Sequence, residues 1–287
     1  MTMNKKVLSK SYPINPLSQL IKDGKIILPS TLDLWSLRAH LEKNQFIIGN
    51  GYGVFSVNIK GVNPGTDVCE IPNLHLKTRR DAYIFHPDIK SPSKRPQLNF
   101  PGFNELIDNI LAIFPKGSVE FGQSGLQERY IAPHDTQPGM PWHRDPDTDI
   151  IVILWAATDN VKGGELQYAG LPHQYVIDSQ TKNITPPPPK GPIETYNPHT
   201  FKGALVFDNG VNMHNVCDMS NDSDQAARRL SLTLTLRVVG QRLTETDEDR
   251  LVSIYRYPRG PIETKLEEWK AKTAKSGSIT KHLKSHL

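Results

Sequence analysis

Five consecutive residues, Pro141-Trp142-His143-Arg144-Asp145, carry the sharpest chemical signal in this chain. In extended backbone, residues i and i+2 project to the same side. His143 and Asp145 can therefore offer an imidazole nitrogen and a carboxylate oxygen to one ion. A third donor, His214, stands in Asn212-Met213-His214-Asn215-Val216, shortly after the apolar run Ala204-Leu205-Val206-Phe207. Two histidines and one carboxylate on one side of a metal leave its other positions open. Such a set suits non-haem iron(II), which must also take up a cosubstrate and dioxygen. A His-x-Asp pair alone is a frequent coincidence, so its weight comes from what accompanies it.

The accompanying feature is Arg228-Arg229-Leu230-Ser231-Leu232-Thr233-Leu234-Thr235-Leu236-Arg237, which alternates at period two. As a strand it turns Leu230, Leu232, Leu234 and Leu236 toward a packed layer. Arg229, Ser231, Thr233, Thr235 and Arg237 face the other way, toward solvent or toward an interior site. A guanidinium fork matches both oxygens of a carboxylate. A serine hydroxyl on the same face can add a hydrogen bond to the same anion. Arg228 competes for that role, and the alternation favours Arg229 because it shares a face with Ser231.

Positioning these residues requires strands. Residues 127–131, 149–156, 165–168, 203–207 and 230–238 have strand character, separated by Gly- and Pro-rich turns. Gly163-Gly164 after Asp159-Asn160 fits a tight hairpin. Before this run the pattern is mixed. A helix capped by Ser30 or Thr31 is expected through about Leu41, strand-like pieces at 45–48 and 54–59, and a helix over 103–114 with Phe103, Leu106, Ile107, Ile110 and Phe114 on one stripe. Residues 258–275 read as a closing helix, with Ile262, Leu266 and Trp269 on one face. The expectation is a mainly β fold with flanking helices, a sandwich or barrel. Its 287 residues suit a single domain. Within it, residues 1–120 form a supporting region, 121–240 the β core with an insertion at about 171–200, and 241–287 a helical extension. Pro186 to Pro189 inside that insertion favour an extended conformation, as a lid or as surface decoration.

With 37% hydrophobic and 22% charged residues, the chain reads as globular. No apolar run approaches the roughly 20 residues of a membrane helix, so no membrane partner is expected. The net charge of +4 and its even spread give no nucleic-acid footprint, apart from lysines in the last turns that read as a solvated tail. Lys5, Lys6 and Lys10 precede no apolar stretch, which argues against a secretory leader. Two cysteines, Cys69 and Cys217, make no disulfide framework, so a reducing, cytoplasmic setting is expected. Oligomeric state is left open.

Taken in order, His143-x-Asp145, His214 and Arg229-x-Ser231 resemble the iron(II)/2-oxoglutarate dioxygenase superfamily, in its prolyl-hydroxylase-like branch. Gly163-Gly164-Glu165-Leu166 and Gly203-x-Leu205-Val206-Phe207-Asp208 resemble it too, over about residues 127–239. The resemblance implies a double-stranded β-helix, or jelly-roll barrel, with Fe(II) at its mouth on His143, Asp145 and His214. It implies that Arg229 and Ser231 bind the distal carboxylate of 2-oxoglutarate, with Tyr130 nearby. It implies oxidation of a substrate by dioxygen, with release of succinate and carbon dioxide. Because the ligand Asp145 is present, hydroxylation is the default outcome, with desaturation and cyclisation as variants. The first choice of substrate is a small metabolite such as an amino acid or natural-product intermediate; a peptidyl side chain is second. Trp142, Arg144 and Trp155 are candidate pocket residues, against ordinary packing as the alternative. Two rival readings stand beside this one. In a zinc hydrolase, Glu165 or Asp208 would serve as base. In a non-catalytic jelly roll, the ligand set would bind without turnover.

Overall fold

Why the late strand alternates so cleanly is visible in the computed structural model of the chain. It describes residues 15–43, 47–50, 79–86, 98–145, 148–170, 176–177, 184–185, 189–239 and 262–275. The elements run α1 (Pro16–Asp23), β1 (Lys25–Leu28), α2 (Leu34–Lys43), β2 (Ile47–Asn50), β3 (Arg79–His86), α3 (Phe103–Leu111), β4 (Val119–Ile131), β5 (Asp135–Gln137), β6 (Met140–His143) and β7 (Ile150–Ala157). They continue with β8 (Lys162–Gly163), β9 (Leu166–Gly170), β10 (Val176–Ile177), β11 (Ile184–Thr185), β12 (Lys190–Tyr196), β13 (Ala204–Asp208), β14 (Asn212–Val216), β15 (Met219–Asn221), β16 (Ala227–Val238) and α4 (Ile262–Lys275). The expected strand at residues 54–59 and the readings of residues 1–12 lie outside the described residues, as do Pro186 to Pro188 of the proline run.

A seven-stranded sheet, ordered β1-β13-β7-β16-β4-β3-β2, is the backbone of the fold. A four-stranded sheet, β12-β9-β14-β6, packs against it, and a three-stranded sheet, β5-β15-β8, adjoins them. Every pairing within these sheets is antiparallel. In such pairs, directly opposed residues share a face. Leu230, Leu232, Leu234 and Leu236 therefore lie with Val152 and Leu154 of β7 and Val206 of β13 in one apolar layer, all within 4% exposure. The helices cover that face. α3 contributes Phe103, Leu106, Ile107 and Ile110, α2 contributes Leu37 and Leu41, and α4 contributes Ile262 and Leu266. On the opposite face Ile151, Ile153 and Trp155 meet Leu205, Phe207, Leu166 and Tyr168 between the two larger sheets. A helix layer on one side and a second sheet on the other is what a two-faced strand of this pattern demands.

Two expectations change in detail. The first 120 residues do not merely buttress the strands. β1 pairs with β13 at one edge of the large sheet, and β3 pairs with β4 near the other. The turn into β1 depends on Gly24, whose left-handed φ of 71° closes α1. Nor is residues 171–200 an insertion throughout: β12 pairs with β9 as the outer strand of the four-stranded sheet. Residues 190–196 alternate too weakly in sequence to announce a strand, and five of them are exposed. The pairing with β9 supplies the order that composition does not.

Candidate metal centre and anion clamp

His143 ends β6, and His214 lies at the centre of β14. The two are direct cross-strand partners. Their rings stand 4.2 Å apart between centroids, and both residues are at least nine-tenths buried. Asp145 follows in the loop after β6 rather than in the strand itself, so the convergence is not simple i, i+2 alternation. Its carboxylate nonetheless reaches both histidines: Oδ1 is 3.7 Å from His143 Nε2, and Oδ2 is 3.9 Å from His214 Nε2. Donor atoms of all three residues lie within 4.8 Å of one another, a spacing that one shared ion can occupy. It is the group of this kind found among the described residues.

The surroundings prepare these groups to act as ligands. Burial, and then the neighbouring His143, hold His214 well below the usual imidazole range, so it is neutral and has a lone pair to donate. Burial pushes the Asp145 carboxyl upward, and His143 draws it back. Phe207 packs edge-on against the His214 ring at 5.3 Å. Tyr168, opposite His214 on β9, donates to the Gly24 carbonyl at 3.0 Å. His214 Nδ1 is buried with no hydrogen-bond partner among the described residues. An anchored imidazole pair beside a carboxylate fits a divalent transition metal, and the nitrogen and oxygen donors fit iron(II).

Arg229 lies on the inter-sheet face of β16, 3% exposed, and its Nε donates to the Gly164 carbonyl at 3.0 Å. That close approach requires glycine. A Cβ at residue 164 would stand 2.8 Å from Met219 Cγ and 3.1 Å from Arg229 Cδ, and φ there is 72°. Ser231 occupies the next position on the same face, opposite Trp155 of β7. Arg228 points to the helix side instead, where its Nη1 lies 3.2 Å from Glu128, a carboxylate that Arg38 also holds at 2.9 Å. Strand parity thus sends the two arginines to opposite faces of β16.

Parity also removes Tyr130 from this group. It pairs with Arg228 and so lies on the helix-facing side of β4. Its neighbours Arg129 and Gln127 oppose Arg229 and Ser231 and share their face. Arg129 is 6% exposed, and its Nη1 donates to the Pro138 carbonyl at 3.2 Å. Neither residue was singled out in the sequence. The cue available was the parity of β4, in which Leu126 and Glu128 must face the helices.

The three candidate pocket residues separate. Arg144 is 2% exposed, donates toward the Gly210 carbonyl and lies near Asp208 and Lys265. Trp155 is on the inter-sheet face, stacked on Phe201 with centroids 4.9 Å apart and edge-on to Tyr196. Trp142, beside His143, is half-buried. Asp208 is occupied structurally. Its carboxylate accepts from Gly210 N and Ile262 N, and burial raises it while those bonds and Arg144 oppose the rise.

No family model matches the chain, and neither does any curated protein. Among solved structures it is similar to an oxidoreductase of the 2OG-Fe(II) oxygenase family from Burkholderia pseudomallei, at 16% identity and TM-score 0.40, over 77% of this chain and 88% of that one. It is similar to a prolyl-4-hydroxylase from Pseudomonas putida at 14% identity and TM-score 0.40, over 78% and 97%. It is also similar to EvdO2 from Micromonospora carbonacea var. aurantiaca complexed with 2-oxoglutarate, at 16% identity and TM-score 0.39, over 85% and 96%. At this distance the functional reading rests on the chain's own residues.

Proposed function

We propose that this chain is an iron(II)- and 2-oxoglutarate-dependent oxygenase built on a double-stranded β-helix. The observation that carries the reading is the convergence of His143, Asp145 and His214 between two sheets, beside a strand that turns Arg229 and Ser231 to the same interior. His143 and His214 would hold the metal through imidazole nitrogens, and Asp145 through its carboxylate. Arg229 would take the distal carboxylate of 2-oxoglutarate, with Ser231 adding a hydrogen bond. When bound, the iron and 2-oxoglutarate supply the oxidising power that places one oxygen atom of O2 in a substrate C–H bond and the other in succinate, with loss of carbon dioxide. The protein's own part is to hold donors, exclude water and align the substrate.

The histidines are buried to 9% and 4% exposure, whereas the Asp145 side chain keeps 30%. Asp145 is thus the most exposed of the three groups. The substrate proposed is a small metabolite, hydroxylated, desaturated or cyclised, with a peptidyl side chain as the alternative.

Anaerobic addition of iron(II) and 2-oxoglutarate tests the assignment. A weak visible charge-transfer band, absent in His214→Ala, is the expected result. Its absence from folded, metal-loaded protein would overturn the 2-oxoglutarate assignment. Succinate release across a panel of amino acids and peptides then separates the two substrate classes.

A further inference from the structure

We infer that Asn209 is the positioning residue of the metal centre, holding the Asp145 ligand in place through its backbone. The inference rests on the reading of His143, Asp145 and His214 as metal ligands. Asp145 has a problem its two companions lack. His143 and His214 are fixed by strand pairing. Asp145 lies beyond the end of β6, where no ladder restrains it.

Asn209 fills that gap. It is fully buried in the turn between β13 and β14, just before the strand that carries His214. Its Nδ2 donates to the Asp145 carbonyl at 2.8 Å and to the Thr148 carbonyl at 2.7 Å. Its Oδ1 accepts from the Asp145 N–H at 3.3 Å. Its backbone N–H donates to the Asp149 carbonyl at 2.9 Å. The amide can be oriented one way only, because the reverse would set its oxygen against two carbonyls. Every side-chain bond of this residue thus goes to the loop between β6 and β7. One asparagine ties the segment bearing one ligand to the turn that leads into the strand bearing another.

The turn itself is stiff. Asp208 Oδ1 accepts from Gly210 N at 2.7 Å, and Asn212 Nδ2 donates to the Asp208 carbonyl at 2.8 Å. Asp208 Oδ2 accepts from Ile262 N at 3.0 Å, at the start of α4. The far end of the loop is fixed as well, because the Asp149 carboxylate accepts from Val238 N and pairs with Lys265. Asn209 therefore transmits the rigidity of the strands and of α4 to the one ligand that is not on a strand. Groups behind metal ligands commonly set ligand geometry and affinity.

A second fully buried asparagine supplies the control. Asn221, the last residue of β15, donates to the carbonyls of Ile131, Ala132 and Gln225, with no bond to a metal-bearing segment. The experiment is anaerobic titration of the full chain with Co(II), whose visible spectrum reports coordination. Asn209→Ala is expected to raise the Co(II) dissociation constant roughly 10- to 100-fold and to alter the bound spectrum. Asn221→Ala should keep the wild-type constant and spectrum, although both variants lose buried hydrogen bonds. Equal Co(II) affinity in the two variants, or an unchanged spectrum in Asn209→Ala, overturns the inference. Should Asn209→Ala fail to fold, Asn209→Asp carries the same expectation, since it keeps volume and acceptor but loses both donated bonds. A wild-type chain that binds no Co(II), or a His214→Ala variant that binds it normally, instead sinks the metal reading itself.

Discussion

The two proposed functional corners of the molecule are held by different means. At the anion corner, Arg229 and Ser231 belong to β16, which is paired along its length with β4 on one side and β7 on the other. Their directions follow from backbone register, and a one-residue slip would reverse all of them together. At the metal corner only the histidines enjoy that support. Asp145 sits in a loop, and its placement depends on side-chain hydrogen bonds from Asn209. A residue on a central strand is positioned by a cooperative ladder that many contacts maintain. A residue on a loop needs a dedicated tether, and a single substitution can release it.

Removing a ligand should produce the largest effect. His214→Ala or Asp145→Ala is expected to abolish tight iron binding, beyond the roughly 100-fold that an outer partner costs. Metal analysis after dialysis checks this, and full retention in both variants would dissolve the metal corner as a concept. Next comes the buried pair of Lys265 with Asp149, both under 10% exposed. Lys265→Ala removes the cation paired with that buried carboxylate, and should cost about 3–5 kcal/mol in denaturant unfolding.

Arg229→Ala probes the other corner. Loss of a charged hydrogen-bonding partner, about 1.5–3 kcal/mol, should weaken 2-oxoglutarate roughly 10- to 150-fold while iron(II) or Co(II) binding stays intact. Isothermal titration separates the two, and an unchanged 2-oxoglutarate constant would remove the clamp from Arg229. Arg228→Ala should do least. Its side chain is 43% exposed, and Arg38 still holds Glu128, so a loss under about 1 kcal/mol and unaltered 2-oxoglutarate binding are expected. A large effect on 2-oxoglutarate there would show that parity does not govern the choice between the two arginines.

Much of this arrangement was legible beforehand, and for an identifiable reason. The alternation of residues 228–237 has period two, the period of a strand, so it announces both the element and the face each residue takes. The apolar stripes at 103–110 announce α3 in the same way. β12 was not legible, because an exposed outer strand carries little apolar signal. Tyr130 was misplaced because a residue's face on β4 depends on register with β16, which no local pattern reveals. Arg144 was offered to the pocket for a related reason: a motif gives spacing, and only the packing of α4 and Asp208 shows where that guanidinium goes.

By itself, then, the sequence determined the donor types, their order along the chain and the periodic strand that presents Arg229 and Ser231. These are local properties, set by side-chain chemistry and by backbone geometry over a few residues. Tertiary structure alone decided that His143 lies opposite His214, that Asn209 holds Asp145, and that Arg129 joins Arg229 while Tyr130 turns away. Those outcomes depend on pairings between segments tens of residues apart, which the packing of the whole sheet selects and no short stretch of chain encodes.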